Sequence, residues 1–276
     1  MTLTGHRGLD EDGTIAREGS PDRVAAEFAP VVAATRSLLL AAFGDPDTGS
    51  SRLHSAYLYG SVPRGTAVPG RSDLDLLLAL RDRPRADDRA AADALGRTLD
   101  ADFPQIDGVG VLLFDTAALL SELERHDLGF FLACLCTPLL GEDLAGQLPR
   151  YRPTSLLARE TNGDLARLLP VWRDRRAAAT TDAELLRLSR HAGRHLTRTG
   201  FTLVMPRWGG WTSDLAESAD LFGRYYPARA AQMRTAALTG RTPTTDATTL
   251  RLLLDDLGPW LAAEYTRVHG EKTPRP

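Results

Sequence analysis

Two aspartates two positions apart, Asp73 and Asp75 in Arg71-Ser-Asp-Leu-Asp-Leu-Leu-Leu-Ala-Leu80, follow closely on a glycine-serine turn, Gly60-Ser61 in Tyr57-Leu-Tyr-Gly-Ser-Val-Pro-Arg-Gly-Thr66. On a strand, residues i and i+2 leave the same face roughly 6 to 7 Å apart at the backbone, so both carboxylates can converge on one hard cation. A Gly-Ser turn opening a helical turn aims unpaired backbone N–H groups at one point, which makes an anion cradle to which the Ser61 hydroxyl adds a donor. A cation held by carboxylates beside a phosphate cradle is the apparatus of phosphoryl or nucleotidyl transfer. The bland alternative is a glycine turn and two surface aspartates at a strand start.

The elements that must position these groups are legible around them. Ala56 to Tyr59 reads as a first buried strand, and Leu74 to Leu80, continuously apolar, as a central second strand. Arg85 to Asp102 reads as a helix, and Gln105 to Phe114 as a third strand with Asp107 at its entry. Asp115 is a helix N-cap. Upstream, Ser20-Pro21-Asp22 starts a largely apolar helix reaching Ala42, and Gly44 to Ser51 is a turn-rich break.

Gly60-Ser61, Gly65 and then Ser72-Asp-Leu-Asp75 with its apolar run resemble the signature of the DNA polymerase β nucleotidyltransferase superfamily. The resemblance implies an α+β fold: a nucleotidyltransferase domain with a mixed sheet and helices, followed by an all-α bundle. It implies Asp73 and Asp75 as metal ligands and a third acid from a neighbouring strand, a position matched by Asp107, as further ligand or general base. It places Gly60, Ser61, Arg64 and Ser72 at the nucleotide. Two Mg2+ ions and ATP as co-substrate follow from it. The other reading of Asp107 is a polar strand-entry residue beside Gly108.

From Thr116 the chain reads as almost wholly helical. Thr116 to His126 and Leu128 to Leu140 form a first pair, and helices then span Thr154 to Arg175, Thr181 to Thr199, Ser213 to Tyr226, Pro227 to Leu238 and Thr245 to Val268. The expected division is a flexible tail to residue 19, a nucleotidyltransferase domain over 20–140 and a helical acceptor-binding domain over 141–276. This order, with Leu140-Gly-Glu-Asp-Leu, Leu188-Ser-Arg190, Met205-Pro-Arg207 and Tyr226-Pro227, is similar to the streptomycin and spectinomycin adenylyltransferase branch of the aminoglycoside nucleotidyltransferases. In that branch a helix arginine and a basic residue in the following loop hold nucleotide phosphates, which implies Arg190 and Arg207. Arg187, Arg190, Arg194 and Arg198 recur at three or four residues, a basic stripe that reads either as a phosphate grip or as a solvated face. Trp208 and Trp211 read as stacking groups for an acceptor or as core anchors. Asp182 and Glu184 are acceptor-side candidates, and equally ordinary first-turn acids.

The 276 residues carry a net charge of −3. Residues 1 to 140 hold 13 Arg against 21 acids, and residues 141 to 276 hold 20 Arg plus Lys against 15, so −8 and +5. An acidic, metal-carrying half and a basic half suit a nucleotide triphosphate and leave room for an anionic acceptor; a polycationic antibiotic suits the basic half less. Lys272 is the only lysine, a sign of arginine bias rather than of nucleic-acid binding. Cys134 and Cys136 lie in an apolar run and read as reduced core packing. The sequence shows neither an apolar run of membrane-spanning length nor a signal core, which points to a cytoplasmic protein without a membrane partner. The reading is therefore transfer of a nucleoside monophosphate to a hydroxyl of a small molecule. Its rivals are a protein or tRNA acceptor, as in toxin-antitoxin systems, and a nucleotidyltransferase-fold antitoxin that acts by binding.

Overall fold

Alternation of apolar side chains between two covered faces builds the sheet that carries the aspartates. The computed structural model describes residues 7–48 and 51–275; residues 1–6 of the expected tail, Gly49 and Ser50 of the expected turn and Pro276 lie outside the described residues. Strands β1 (Leu53–Tyr59), β2 (Ser72–Leu80), β3 (Ile106–Asp115) and β4 (Cys136–Gly141) pair in the order β3-β2-β1-β4. β1 runs antiparallel to β2 and β4, and β2 runs parallel to β3. The fold class is α+β, with a mixed sheet as expected.

Leu74, Leu76, Leu78 and Leu80 leave one face of β2 and join Ala56 and Leu58 against two helices, α1 (Ala29–Phe43) and α3 (Ala86–Asp102). Tyr57, Leu77 and Ala79 leave the opposite face and pack with Leu119, Leu132, Cys136 and Leu144. Burial on both faces explains why β2 is continuously apolar. By the same period Asp73 and Asp75 extend the second face beyond that cluster. The stretch Ala26–Phe43 has the length and hydropathy of a membrane span, but Phe28, Val31, Leu39 and Phe43 are spent on the sheet core.

Between β3 and β4 lie two short helical turns, α4 (Thr116–Leu119), capped by the Asp115 carboxylate, and α5 (Leu128–Phe130), which runs into a π-helical turn, Phe131–Leu135. The expected helix over Leu128 to Leu140 gives way to β4 because Thr137 precedes Pro138, and the residue before proline is driven to extended backbone. β4 is an edge strand, where the missing proline N–H is tolerated. Cys134 and Cys136 are free and buried, and burial pushes the Cys136 thiol well above its ordinary range.

The chain divides into two compact units: Ala16–Tyr151 around the sheet, and the described residues up to Ile15 together with Arg152 onward. The boundary between the units falls at 151/152, and residues 7–19 of the expected tail include several with long-range hydrogen bonds. In the helical unit Leu9 bridges Ile15, Arg152 donates to the Asp12 carbonyl, and the Trp211 N–H donates to the Arg7 carbonyl. In the sheet unit the Glu18 N–H donates to the Cys134 carbonyl and the Ser20 N–H to the Pro63 carbonyl. All but the Leu9–Ile15 pair are distant in sequence, so local composition gives no sign of them.

The helical unit contains α6 (Ser155–Asn162), α7 (Leu165–Ala178), α8 (Asp182–Trp208), α9 (Leu215–Tyr225), α10 (Ala230–Arg241), α11 (Ala247–Arg251) and α12 (Gly258–His269). The π-helical stretch Leu252–Leu257 joins the last two. α8 is its axis and does not stop at Thr199-Gly200. Gly200 is a packing position: a Cβ there would run into the Met233 side chain, and one at Gly193 would lie 2.7 Å from the Ala236 carbonyl oxygen of α10. Both glycines let helices approach closely, so the helix continues to Trp208, where Gly209 at φ 70° ends it.

Candidate active site

The site begins at a contact between a turn and a carboxylate. Tyr59, the last residue of β1, is paired with Asp75, so the chain turns at Gly60 directly beside the Asp75 side chain. Gly60 has φ 79°, and a Cβ there would lie 2.5 Å from Asp75 Oδ2. Glycine is required on both counts. The turn then opens α2 (Ser61–Arg64), in which Gly65 takes the left-handed cap. Pro63 has no N–H, so the donors free of intrahelical partners at this end are the Ser61 and Val62 amides and the Ser61 hydroxyl.

Arg64 is engaged with the turn itself. Its Nε donates to the Gly60 carbonyl at 2.9 Å, and its Nη1 lies 3.6 Å from Glu18 Oε2. It braces the turn from behind, with Glu18 as its counter-charge. Glu18 is a residue that sequence reasoning missed, and nothing within a few positions of it signals the contact. Ser72 is likewise committed: its hydroxyl accepts from the Val68 N–H at 2.9 Å and closes the loop leading into β2.

Asp73 and Asp75 share a face, half-buried, at the open end of the sheet. Across the parallel ladder Asp75 faces Gly110, whose Cβ would lie 3.0 Å from Asp75 Oδ1. Between the pairs Ser72↔Ile106 and Leu74↔Val109, β3 carries one residue more than β2, so Asp107 and Gly108 together oppose Asp73. This is a bulge. A Cβ on Gly108 would lie 3.9 Å from Asp73 Oδ1, while Asp107 is exposed. The floor beside the carboxylates is therefore glycine, not acid. Among the described residues no three His, Cys, Asp or Glu side chains gather at one point, so Asp107 is not held in a trio with the pair.

Two carboxylates on one face, with glycine on either side, fit a hard divalent cation. Mg2+ characteristically takes one or two protein carboxylates and completes its shell with water and phosphate oxygens. Asp73 and Asp75 are the residues that would hold it.

The other candidates lie in the helical unit. Arg190 and Arg207 stand on the same uninterrupted helix, 17 residues apart, which at 1.5 Å per residue separates their backbones by about 25 Å. They do not grip the β- and γ-phosphates of one nucleotide together. Arg207 stacks over the Tyr225 ring at 4.5 Å. Arg190 lines a cleft of about 260 Å³ with Arg187, His191, Arg194, His195 and Arg198, all from α8. Trp208 and Trp211 both meet the Phe201 ring edge-on, and Arg7 donates to the Trp208 carbonyl and lies over its ring. They are anchors for the N-terminal segment. Glu184 accepts from the Thr180 and Thr181 amides and the Thr181 hydroxyl in a capping box, and Asp182 is exposed in the same first turn.

No family model matches the chain, and no curated protein matches it significantly. Among solved structures it is similar to the spectinomycin adenyltransferase AAD(9) from Enterococcus faecialis, crystallised with ATP and spectinomycin, at 12% identity over 86% of this chain and 98% of that one, with a TM-score of 0.48. At that level neither family nor activity is assigned from the likeness.

Proposed function

We propose that this chain is a nucleotidyltransferase that moves a nucleoside monophosphate, AMP from ATP, to a hydroxyl of a small-molecule acceptor and releases pyrophosphate. The observation that carries the reading is the seating of the Gly60-Ser61 turn against Asp75, with Asp73 on the same sheet face. On this reading, phosphate donors and cation ligands lie side by side. Mg2+ held by Asp73 and Asp75 would supply charge neutralisation to the phosphates.

The remaining work falls to the chain. The Ser61 and Val62 amides and the Ser61 hydroxyl hold the leaving phosphates; Arg64, braced by Glu18, keeps the Gly60 carbonyl and hence those amides in place. The acceptor oxygen bonds to the α-phosphorus as the bond from that phosphorus to the bridging oxygen breaks, and pyrophosphate leaves. Asp107, in the bulge opposite Asp73, is the proposed recipient of the hydroxyl proton. Positioning and charge neutralisation account for most of the rate.

The test is pyrophosphate release from each nucleoside triphosphate with Mg2+, over a panel of aminoglycosides, spectinomycin, phosphorylated sugars and bulk tRNA. Release that disappears in Asp73→Asn, with an unchanged circular dichroism spectrum, supports the reading. Undiminished release in that variant removes the metal-ligand assignment.

A further inference from the structure

One pair of side chains in the helical unit has the chemistry of an activated nucleophile. Ser155, the exposed first residue of α6, holds its hydroxyl oxygen 2.6 Å from Nδ1 of His269, the half-buried last residue of α12. On the far side of the ring, Nε2 lies 3.1 Å from the Leu203 carbonyl oxygen of α8. A carbonyl only accepts, so Nε2 carries the proton, and Nδ1 of the neutral ring is a bare acceptor to which Ser155 donates. Burial holds the imidazole below its ordinary pKa, against the raising effect of the Leu203 and Thr202 carbonyls, and so keeps it neutral.

The sequence explains why main chain is free to orient the ring. Pro206 stands inside α8 and has no N–H, so the Thr202 carbonyl four residues back loses its helical donor and becomes a second acceptor for His269. Tyr265, one turn earlier on α12, meets the imidazole edge-on at 5.1 Å and fixes its plane. A nucleophile, a base within reach and a group that orients the base are therefore together. At the start of α6, the Thr154 hydroxyl takes the Leu157 amide and the Thr154 carbonyl takes the Ala158 amide. The Ser155 and Leu156 amides have no intrahelical acceptor; they belong to the nucleophile and the residue after it, from which backbone amides stabilise an oxyanion.

We propose that Ser155 and His269 form a second reactive site, at which Ser155 takes the acyl group of a small carboxylic ester. The Ser155 oxygen bonds to the ester carbonyl carbon as its proton passes to His269 Nδ1. The bond from that carbon to the alcohol oxygen then breaks, and the alcohol leaves with the proton. Water repeats the step: its oxygen bonds to the acyl carbon, a proton passes through His269 to the Ser155 oxygen, and the acid is released. A carbonyl rather than a carboxylate stands behind the ring and stabilises the protonated imidazole less, which suits an ester, whose alcohol leaves more readily than an amine. The site uses none of the residues assigned to nucleotidyl transfer and stands or falls apart from that reading.

The experiment incubates the full chain with an alkyl fluorophosphonate, from which the Ser155 oxygen displaces fluoride, and locates the label by peptide mass spectrometry; p-nitrophenyl acetate hydrolysis is followed in parallel. One label per chain on Ser155 is expected. Ser155→Ala, at an exposed position, should lose both the label and hydrolysis above background, and His269→Gln should be labelled about 10²-fold more slowly. If His269→Gln loses its fold by circular dichroism, the pH profile of the natural chain decides. Labelling that declines as the imidazole protonates between about pH 7 and 5 supports the base role, and labelling flat over that range overturns it. No label on Ser155, or equally fast labelling of a folded His269→Gln, also overturns the proposal and leaves the pair as a structural bond between α6 and α12.

Discussion

The sheet end and the α8 cleft build polar sites by opposite means. At the sheet end two carboxylates are held two residues apart on one strand, and the neighbouring strands contribute glycines that come within a Cβ of them. Few groups are used, and each is fixed by ladder hydrogen bonds. In the cleft a single helix supplies all six lining residues, four of them carrying the same charge. A sheet fixes a small number of groups at short range; a helix distributes charge along its axis. Substitutions at the first should therefore act on rate.

The largest expected effect is on Asp75. Asp75→Asn keeps the shape and removes the charge, so transfer should fall by about 10³-fold with the melting temperature little changed. A loss of affinity without loss of turnover would place Asp75 outside the reaction centre. Gly60→Ala comes next. Its φ of 79° costs about 1–3 kcal/mol for a residue with a Cβ, and the methyl would displace the Asp75 carboxylate. Transfer should drop by about 10²-fold, the cost of displacing a positioned group by an ångström. Asp107→Asn should cost about as much if the bulge carboxylate takes the acceptor proton. Unchanged turnover in that variant would leave Asp107 as a strand-entry residue.

Smaller effects test the scaffold behind the cleft. Gly193→Ala pushes a methyl against the α10 backbone and should destabilise the chain by about 1–3 kcal/mol in urea unfolding. Stability should also depend on pH. Burial holds the imidazoles of His54, His191 and His269 below their ordinary pKa; Arg81 adds to this for His54, and His195, Arg175, Arg198 and Arg194 add to it for His191. An unfolded chain takes up these protons near pH 6.5 and the folded chain does not, so stability is highest above that pH and falls as the pH drops below it. The melting temperature should be lower at pH 5.5 than at pH 7.5, before the carboxylates Asp88 and Asp255, held low by Arg52 and Arg176, begin to protonate.

The strand and the turn that carry the candidate site were legible because their causes are local. The i, i+2 spacing of Asp73 and Asp75 reports the strand period, and Gly60-Ser61 reports a turn. What escaped depends on distant partners. Gly200 reads as a helix stop until Met233 is seen packed on it; Trp208 and Trp211 read equally as stacking groups or core anchors, and only the fold brings Arg7 over the Trp208 ring. The charge of Arg64 points toward a phosphate, and only the fold brings Glu18 to its side. Asp107 stands where strand counting puts a third acid, but an extra residue in β3 leaves glycine across from Asp75.

The most direct test of nucleotidyl transfer follows the label. ATP carrying radiolabel at the α-phosphorus or at the γ-phosphorus is incubated with Mg2+ and the acceptor panel, and labelled products are separated from nucleotide. The account predicts α-label in the acceptor and γ-label in pyrophosphate, both lost in Asp73→Asn. Label from the γ-phosphorus in the acceptor, or α-label transferred equally well by Asp73→Asn, would contradict it.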